Sequence, residues 1–250
     1  MASRSVAPVP APSGVAGSTV AWLDEVRYLL FGCAAPAALF GLLGWYNLTR
    51  LHVAMAGVDR PDSVWEFFTG PLQRALYLAF VSFPVAIYIT RPRARRRDTG
   101  FVARAAAFTG TTMLLVYPAF FDHGPRVGSA PGFVRAIAGA TMVLGTAFGV
   151  WGLVTLRHSF SIIPEARRVV RDGPYRYVRH PLYAAEIAVA VSLALQGDLH
   201  AWSSLVLVAF VGIQYVRSGF EERLLRDSFA DYDDYARVTP RLVPFSKRLA

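Results

Sequence analysis

Apolar and polar positions along this chain fall into long blocks, not into short alternations. Charge-free runs occupy residues 28–49, 75–90, 105–121, 136–156, 182–197 (broken only by Glu186) and 199–216. As helices, the first and fourth are long enough to cross about 30 Å of hydrocarbon. The second and third are shorter, and amphipathic flanks extend them, with arginines that reach back to the interface. Asp198 alone separates the last two runs, which predicts a tight helical hairpin. The expected fold is therefore all-α and polytopic, with five to six membrane segments followed by a cytosolic C-terminal helical segment. Residues 1–24 open with Ala, Pro, Ser, Gly and Val in no periodic order and are expected to be a disordered tail. The apolar run that follows exceeds the core of a signal peptide, so the first segment is expected to stay. Residues 25–156 then form a four-helix transmembrane region and 157–250 a second region of different character.

Composition strengthens the membrane reading. Hydrophobic residues make up 54% of the chain and charged ones 17%, against about 25% charged in an ordinary soluble domain. A single cysteine, Cys33, excludes a disulfide scaffold and a multi-cysteine metal site. The net charge of +9 would suit a nucleic-acid binder, but all basic residues except Lys247 are arginines placed between apolar runs. No continuous basic face exists, so nucleic acid is not an expected partner. The pattern is that of positively charged cytoplasmic loops. Arg91, Arg93, Arg95, Arg96 and Arg97 mark one such loop. Arg157, Arg167, Arg168, Arg171, Arg176 and Arg179 mark another. Alternation from these loops places both termini in the cytoplasm. His52, His123, His158 and His200 show no ligand spacing, so no metal is expected. Oligomeric state is not legible.

Two polar blocks carry the chemistry. In 157–183, Gly173-Pro174 marks a turn, and Arg179-His180-Pro181 leads into the next helix, where proline suits the first turn. Arg179 and His180 thereby stand at the positive end of a membrane helix, a position that suits an anionic group. A belt of interfacial anchors would explain any one of these residues. It does not explain Tyr175, Arg179, His180 and Tyr183 crowded about one turn. In 217–244, Arg217 and Glu221 are spaced to share a helix face and to pair, and Glu221-Glu222 lies near the membrane surface. Glu186, costly to bury as a charge, is expected to face a cavity or to pair with an arginine such as Arg179.

Gly173-Pro174-Tyr175, Arg179-His180-Pro181-Leu182-Tyr183, the Glu221-Glu222 pair, Phe229, Tyr232 and Tyr235 together resemble the C-terminal half of isoprenylcysteine carboxyl methyltransferases. Related phospholipid methyltransferases share the Arg-His-Pro and Glu-Glu signatures. The resemblance implies S-adenosyl-L-methionine as cofactor, bound at the cytoplasmic face, and a lipid-like acceptor that enters from the bilayer. Carried over by position, it implies a cofactor site of Arg167, Val169, Val170, Tyr175, Arg179, His180, Pro181, Leu182, Tyr183, Glu221 and Glu222. The family's eukaryotic members have a histidine where this chain has Arg167. Arg217 matches the substrate-facing arginine, Glu186 joins it as a substrate residue, and Arg217 with Glu221 is the expected catalytic pair.

Methyl transfer from a sulfonium needs alignment more than proton transfer. A carboxylate acceptor, which Arg217 would grip through two parallel hydrogen bonds, explains the lack of an obvious acid-base dyad. A phospholipid amine or a small thiol is the alternative acceptor. A nicotinamide-dependent membrane reductase of related architecture and a non-enzymatic membrane protein are the rival classes.

Overall fold

The structure, a computed structural model, describes residues 22, 25–26, 28–56, 71–90, 96–97, 100–121, 132–196 and 201–243. The expected tail (apart from isolated positions), the acidic loop at 59–66, most of the arginine loop at 91–97 and the hairpin turn at 197–200 lie outside these residues.

The apolar blocks become helices with nearly the bounds their patterns imply. A π-helical turn over Tyr28–Ala34 leads into α1 (Ala35–Met55), followed by α2 (Gln73–Thr90), α3 (Phe101–Phe121) and α4 (Gly132–Leu156). After a polar connection come α5 (Pro181–Gln196), α6 (Ala201–Ser228) and the short α7 (Tyr232–Val238). A two-residue ribbon pairs β1 (Arg96–Arg97) antiparallel with β2 (Glu165–Ala166), Arg96 opposite Ala166. It ties the arginine loop to the polar connection.

The outer surface is apolar. Leu42, Trp45, Phe108, Leu144 and Ile89 stand about as exposed as surface lysines would in a soluble protein, which marks a face made for lipid. Three stretches are long and apolar enough to cross a membrane, Tyr28–Val53, Gln73–Thr90 and Gly132–Ser159, and Pro181–Leu195 is a shorter apolar helix. The chain is thus mostly helical, with three candidate membrane-spanning helices among the described residues.

Small residues set the helix packing. Gly145, Gly149 and Gly152 form a stripe along α4. A Cβ at these positions would lie 3.1 Å from the Ala188 side chain, 3.1 Å from Phe80 and 3.0 Å from Leu182, respectively. In lipid, close backbone approach of this kind replaces the hydrophobic drive that water supplies elsewhere. It lets α5 and α2 settle directly on α4, which positions the start of α5 against the polar connection. Gly173, with φ +55°, opens the turn at Gly173–Arg176, and a side chain there would collide with Thr155.

Candidate functional site

The polar connection, the start of α5, the C-terminal half of α6 and α7 close on one another through backbone and charge. The first amides of the Arg-His-Pro turn have no partner within their own helix. Arg179 N–H donates to the Pro240 carbonyl (2.8 Å) and His180 N–H to the Arg241 carbonyl (3.1 Å). Arg179 Nη1 donates to the Ala236 carbonyl at 3.0 Å, and the Tyr235 hydroxyl donates to the Tyr175 carbonyl at 2.7 Å. The strap formed by α7 and residues 239–241 thus holds the Gly-Pro-Tyr turn and the start of α5 together.

His180 stands between the two glutamates. Its Nδ1 lies 3.4 Å from Glu221 Oε2 and its Nε2 3.2 Å from Glu222 Oε1. Its ring stacks on Tyr183 at 5.5 Å between centroids. The Tyr183 hydroxyl donates to Glu221 Oε1. Burial by itself pushes the His180 imidazole down, but the hydrogen bonds and charges of Glu221 and Glu222 outweigh it and raise its pKa above the ordinary value. Glu222 is buried, which pushes it up. The hydrogen bond and charge of His180, followed by the charges of Arg179 and Arg241, pull it down to about 2. Glu222 also pairs with Arg226 at 3.2 Å. Tyr175 is pushed well above the ordinary phenol value, by burial first and then by the charge of Glu221.

These residues form one end of an open cavity. Val169, Val170, Tyr175, Arg179, His180 and Glu221 line it, as do Leu182 and Tyr183. Arg167 does not. Its guanidinium is held by Glu165 at 2.6 Å, both side chains buried. Pro181 and Glu222 sit behind the wall, Glu222 acting on it through His180.

At the membrane end, Glu186 and Arg217 both line the cavity. The expected pairing of Arg217 with Glu221 along α6 is not what the guanidinium does. Glu221 is occupied by Tyr183 and His180, and Arg217 turns toward α5 and α3. Its Nη1 donates to Gln214 Oε1 (2.8 Å) and lies 3.5 Å from Glu186 Oε2, and its Nη2 donates to Thr111 Oγ1 at 3.2 Å. Gln214 Nε2 donates to Glu186. Glu186 therefore faces Arg217 and not Arg179, whose Nε lies 3.1 Å from Glu222. The Tyr183 ring lies 4.6 Å beneath the Arg217 guanidinium.

Much of the remaining wall is apolar and comes from helices on which sequence reasoning named no site residue. Phe40 of α1, Tyr77, Phe80, Val81 and Pro84 of α2 and Thr111 of α3 all reach it. Gln214 carried a usable signal, a lone amide in an apolar run three residues before Arg217. Thr111 carried none.

Among the described residues, the buried Tyr232 hydroxyl and Arg217 Nε, both of residues on the wall, have no hydrogen-bond partner. Polar atoms buried in this way are costly unless a ligand meets them. The donor set fits S-adenosylmethionine, because carboxylate and tyrosine faces suit a sulfonium and an amino-acid ammonium. Among the described residues, no group of three or more His, Cys, Asp or Glu side chains is placed to hold a metal ion.

Residues 137–227 match the isoprenylcysteine carboxyl methyltransferase (ICMT) family. That range runs from α4 to the glutamate pair and includes most of the polar wall. Two curated proteins are similar to part of the chain. The nickel-cobalt-cadmium resistance protein NccN of Alcaligenes xylosoxydans xylosoxydans is 31% identical over 80 residues, covering 32% of this chain and 38% of that protein. The cobalt-zinc-cadmium resistance protein CzcN of Cupriavidus metallidurans is 30% identical over 76 residues, covering 30% of this chain and 35% of that protein. The chain thus spans little more than a third of the length of these relatives.

Proposed function

From the ICMT family match and the apolar helices, which support a membrane methyltransferase, we propose that this chain transfers a methyl group from S-adenosylmethionine to the carboxylate of an amphipathic, lipid-like acceptor. The observation that carries the reading is a single cavity with a charged, tyrosine-rich end and an apolar end, and Arg217 between them. We place the charged end at the cytoplasmic face, with five to six spans and both termini inside, as the arginine-rich loops favour.

The bound donor would supply a methyl carbon on a positive sulfur, and attack on it by a carboxylate oxygen would neutralise both charges with no proton to move. The chain's own residues have three tasks. Glu221, with Tyr183 donating to one oxygen and His180 beside the other, offers a fixed carboxylate to the cofactor's polar groups. Tyr175, Leu182 and Tyr232 wall off water. Arg217 keeps an Nε–H without a partner and a second Nη2 hydrogen, and a planar guanidinium can take a carboxylate through two parallel bonds. Holding nucleophile and methyl in line can lower the barrier by about 7–11 kcal/mol.

Binding of S-adenosylhomocysteine to the detergent-purified chain tests the cofactor half directly. Wild type should bind saturably. Glu221→Ala and His180→Ala should each weaken binding about tenfold or more, as expected for hydrogen bonds to charged groups. A well-folded wild type that does not bind would sink the proposal and bring forward the reductase and scaffold readings. Methylation of an amine-bearing phospholipid with no reaction of an apolar carboxylic acid would keep the enzyme class and change the acceptor.

A further inference from the structure

Arg217 is a long, flexible side chain, and its grip on a carboxylate depends on which edge of the fork faces the cavity. Neither α5 nor α6 alone determines that. Gln214 and Glu186 hold Nη1 and the Tyr183 ring lies beneath the plane, but neither fixes Nη2. The second anchor comes from α3, outside the region that matches the family.

Two adjacent residues of α3 meet the guanidinium. A Cβ on Gly110 would lie 2.6 Å from Arg217 Cδ, 2.9 Å from its Nη1 and 3.0 Å from Ile213 Cγ2, so the arginine lies in a slot that exists because residue 110 has no side chain. The next residue, Thr111, donates its hydroxyl hydrogen to the Ala107 carbonyl at 2.9 Å. Its lone pairs are thereby the only part left to offer, and they accept from Arg217 Nη2 at 3.2 Å. With Nη1 fixed by α5 and α6 and an Nη2 hydrogen fixed by α3, the plane is set, and the buried Nε–H is a donor still without a partner.

We propose that Gly110 and Thr111 are positioning residues for Arg217, and that α3 thereby sets the enzyme's preference for an anionic acceptor head over a neutral one. This rests on the carboxylate reading above. A valine at 111 keeps the volume but cannot accept a hydrogen bond, and a serine keeps the acceptor, so the pair separates positioning from packing.

The test uses the full chain in detergent and two probes, the fluorescent polyene acid cis-parinaric acid and its methyl ester, with S-adenosylhomocysteine affinity measured in parallel. Wild type should prefer the acid, and Arg217→Met should abolish the preference. Thr111→Val should reduce it about three- to tenfold, Thr111→Ser should restore it, and Gly110→Ala should reduce it at least as much as Thr111→Val. Unchanged preference in Thr111→Val, with S-adenosylhomocysteine affinity intact, would overturn the proposal. If wild type binds S-adenosylhomocysteine but shows no preference for the acid, the carboxylate reading fails by itself. If it binds neither probe nor S-adenosylhomocysteine, the methyltransferase reading fails. In either case thermal unfolding of Thr111→Val, Arg217→Met and the double variant decides the positioning claim: non-additive shifts in midpoint support it, and additive shifts overturn it.

Discussion

The two ends of the cavity are held together by different physics. At the charged end, His180, Glu221, Glu222, Arg179 and Arg241 interlock by ion pairs and hydrogen bonds, and a strap of backbone closes them. At the apolar end, Phe40 and Phe160 of the wall pack ring against ring with each other and with Tyr88, which does not line the cavity, at centroid distances of 5.9–6.2 Å. One hydrogen bond, from Ile162 N–H to the Tyr88 hydroxyl at 2.8 Å, ties α2 to the polar connection there. The charged end needs specific atoms at specific places. The apolar end needs volume, and many side chains of similar size would supply it. One end is therefore conspicuous as a motif, and the other leaves no signature.

The most severe way to break this asymmetry is Glu222→Ala. It strips the shared anion from His180, Arg179 and Arg241, which are buried or largely so. Leaving such charges without a partner costs about 3–5 kcal/mol, so the thermal unfolding midpoint should fall sharply. An unchanged midpoint would show that the charged end is not what holds the strap.

Next in size is the pH dependence of that midpoint. Glu222, lowered from 4.5 to about 2, contributes stability that is present above pH 4.5 and lost as pH falls toward 2. His180, raised above 6.5, contributes in full below pH 6.5 and loses that contribution as pH rises through its folded value. Stability should therefore be greatest between about pH 4.5 and 6.5. His180→Gln should flatten the alkaline side. A profile that kept rising above neutrality would contradict the clamp.

Phe80→Ala probes the other end. It removes apolar wall from α2 and should weaken binding of an apolar-chain acid by about three- to tenfold, with S-adenosylhomocysteine affinity unchanged. Equal losses for both ligands would mean that the ends are not separate. The smallest effect is expected at the exposed Arg237–Asp234 pair on α7. Arg237→Ala should shift stability by less than about 0.5 kcal/mol, a check that the charged end acts through burial and not through charge alone.

The helices were legible because lipid demands long apolar runs, and the bounds of α2, α4 and α5 follow those runs closely. The polar turn was legible because Gly173, Pro174 and Pro181 each mark a backbone need. Glu186 was legible only as a choice, since sequence spacing cannot say which arginine a buried carboxylate will meet across helices. The Arg217–Glu221 pairing was misread for the same reason. Spacing along one helix permits a contact, but Tyr183 and His180 compete for the glutamate from another helix. Thr111 was out of reach altogether. A threonine bonded back to its own helix looks like any other threonine in a membrane span, and its role depends on how α3 lies against α6.

The closure of the Arg-His-Pro turn by the carbonyls of Pro240 and Arg241 also bears on biosynthesis. The partners of Arg179 and His180 emerge from the ribosome only after α1 through α6 have been made. Synthesis of the helices and completion of the pocket are therefore separate events. A chain arrested just short of residue 240 would hold all six of these helices and leave the mouth of its pocket unlatched.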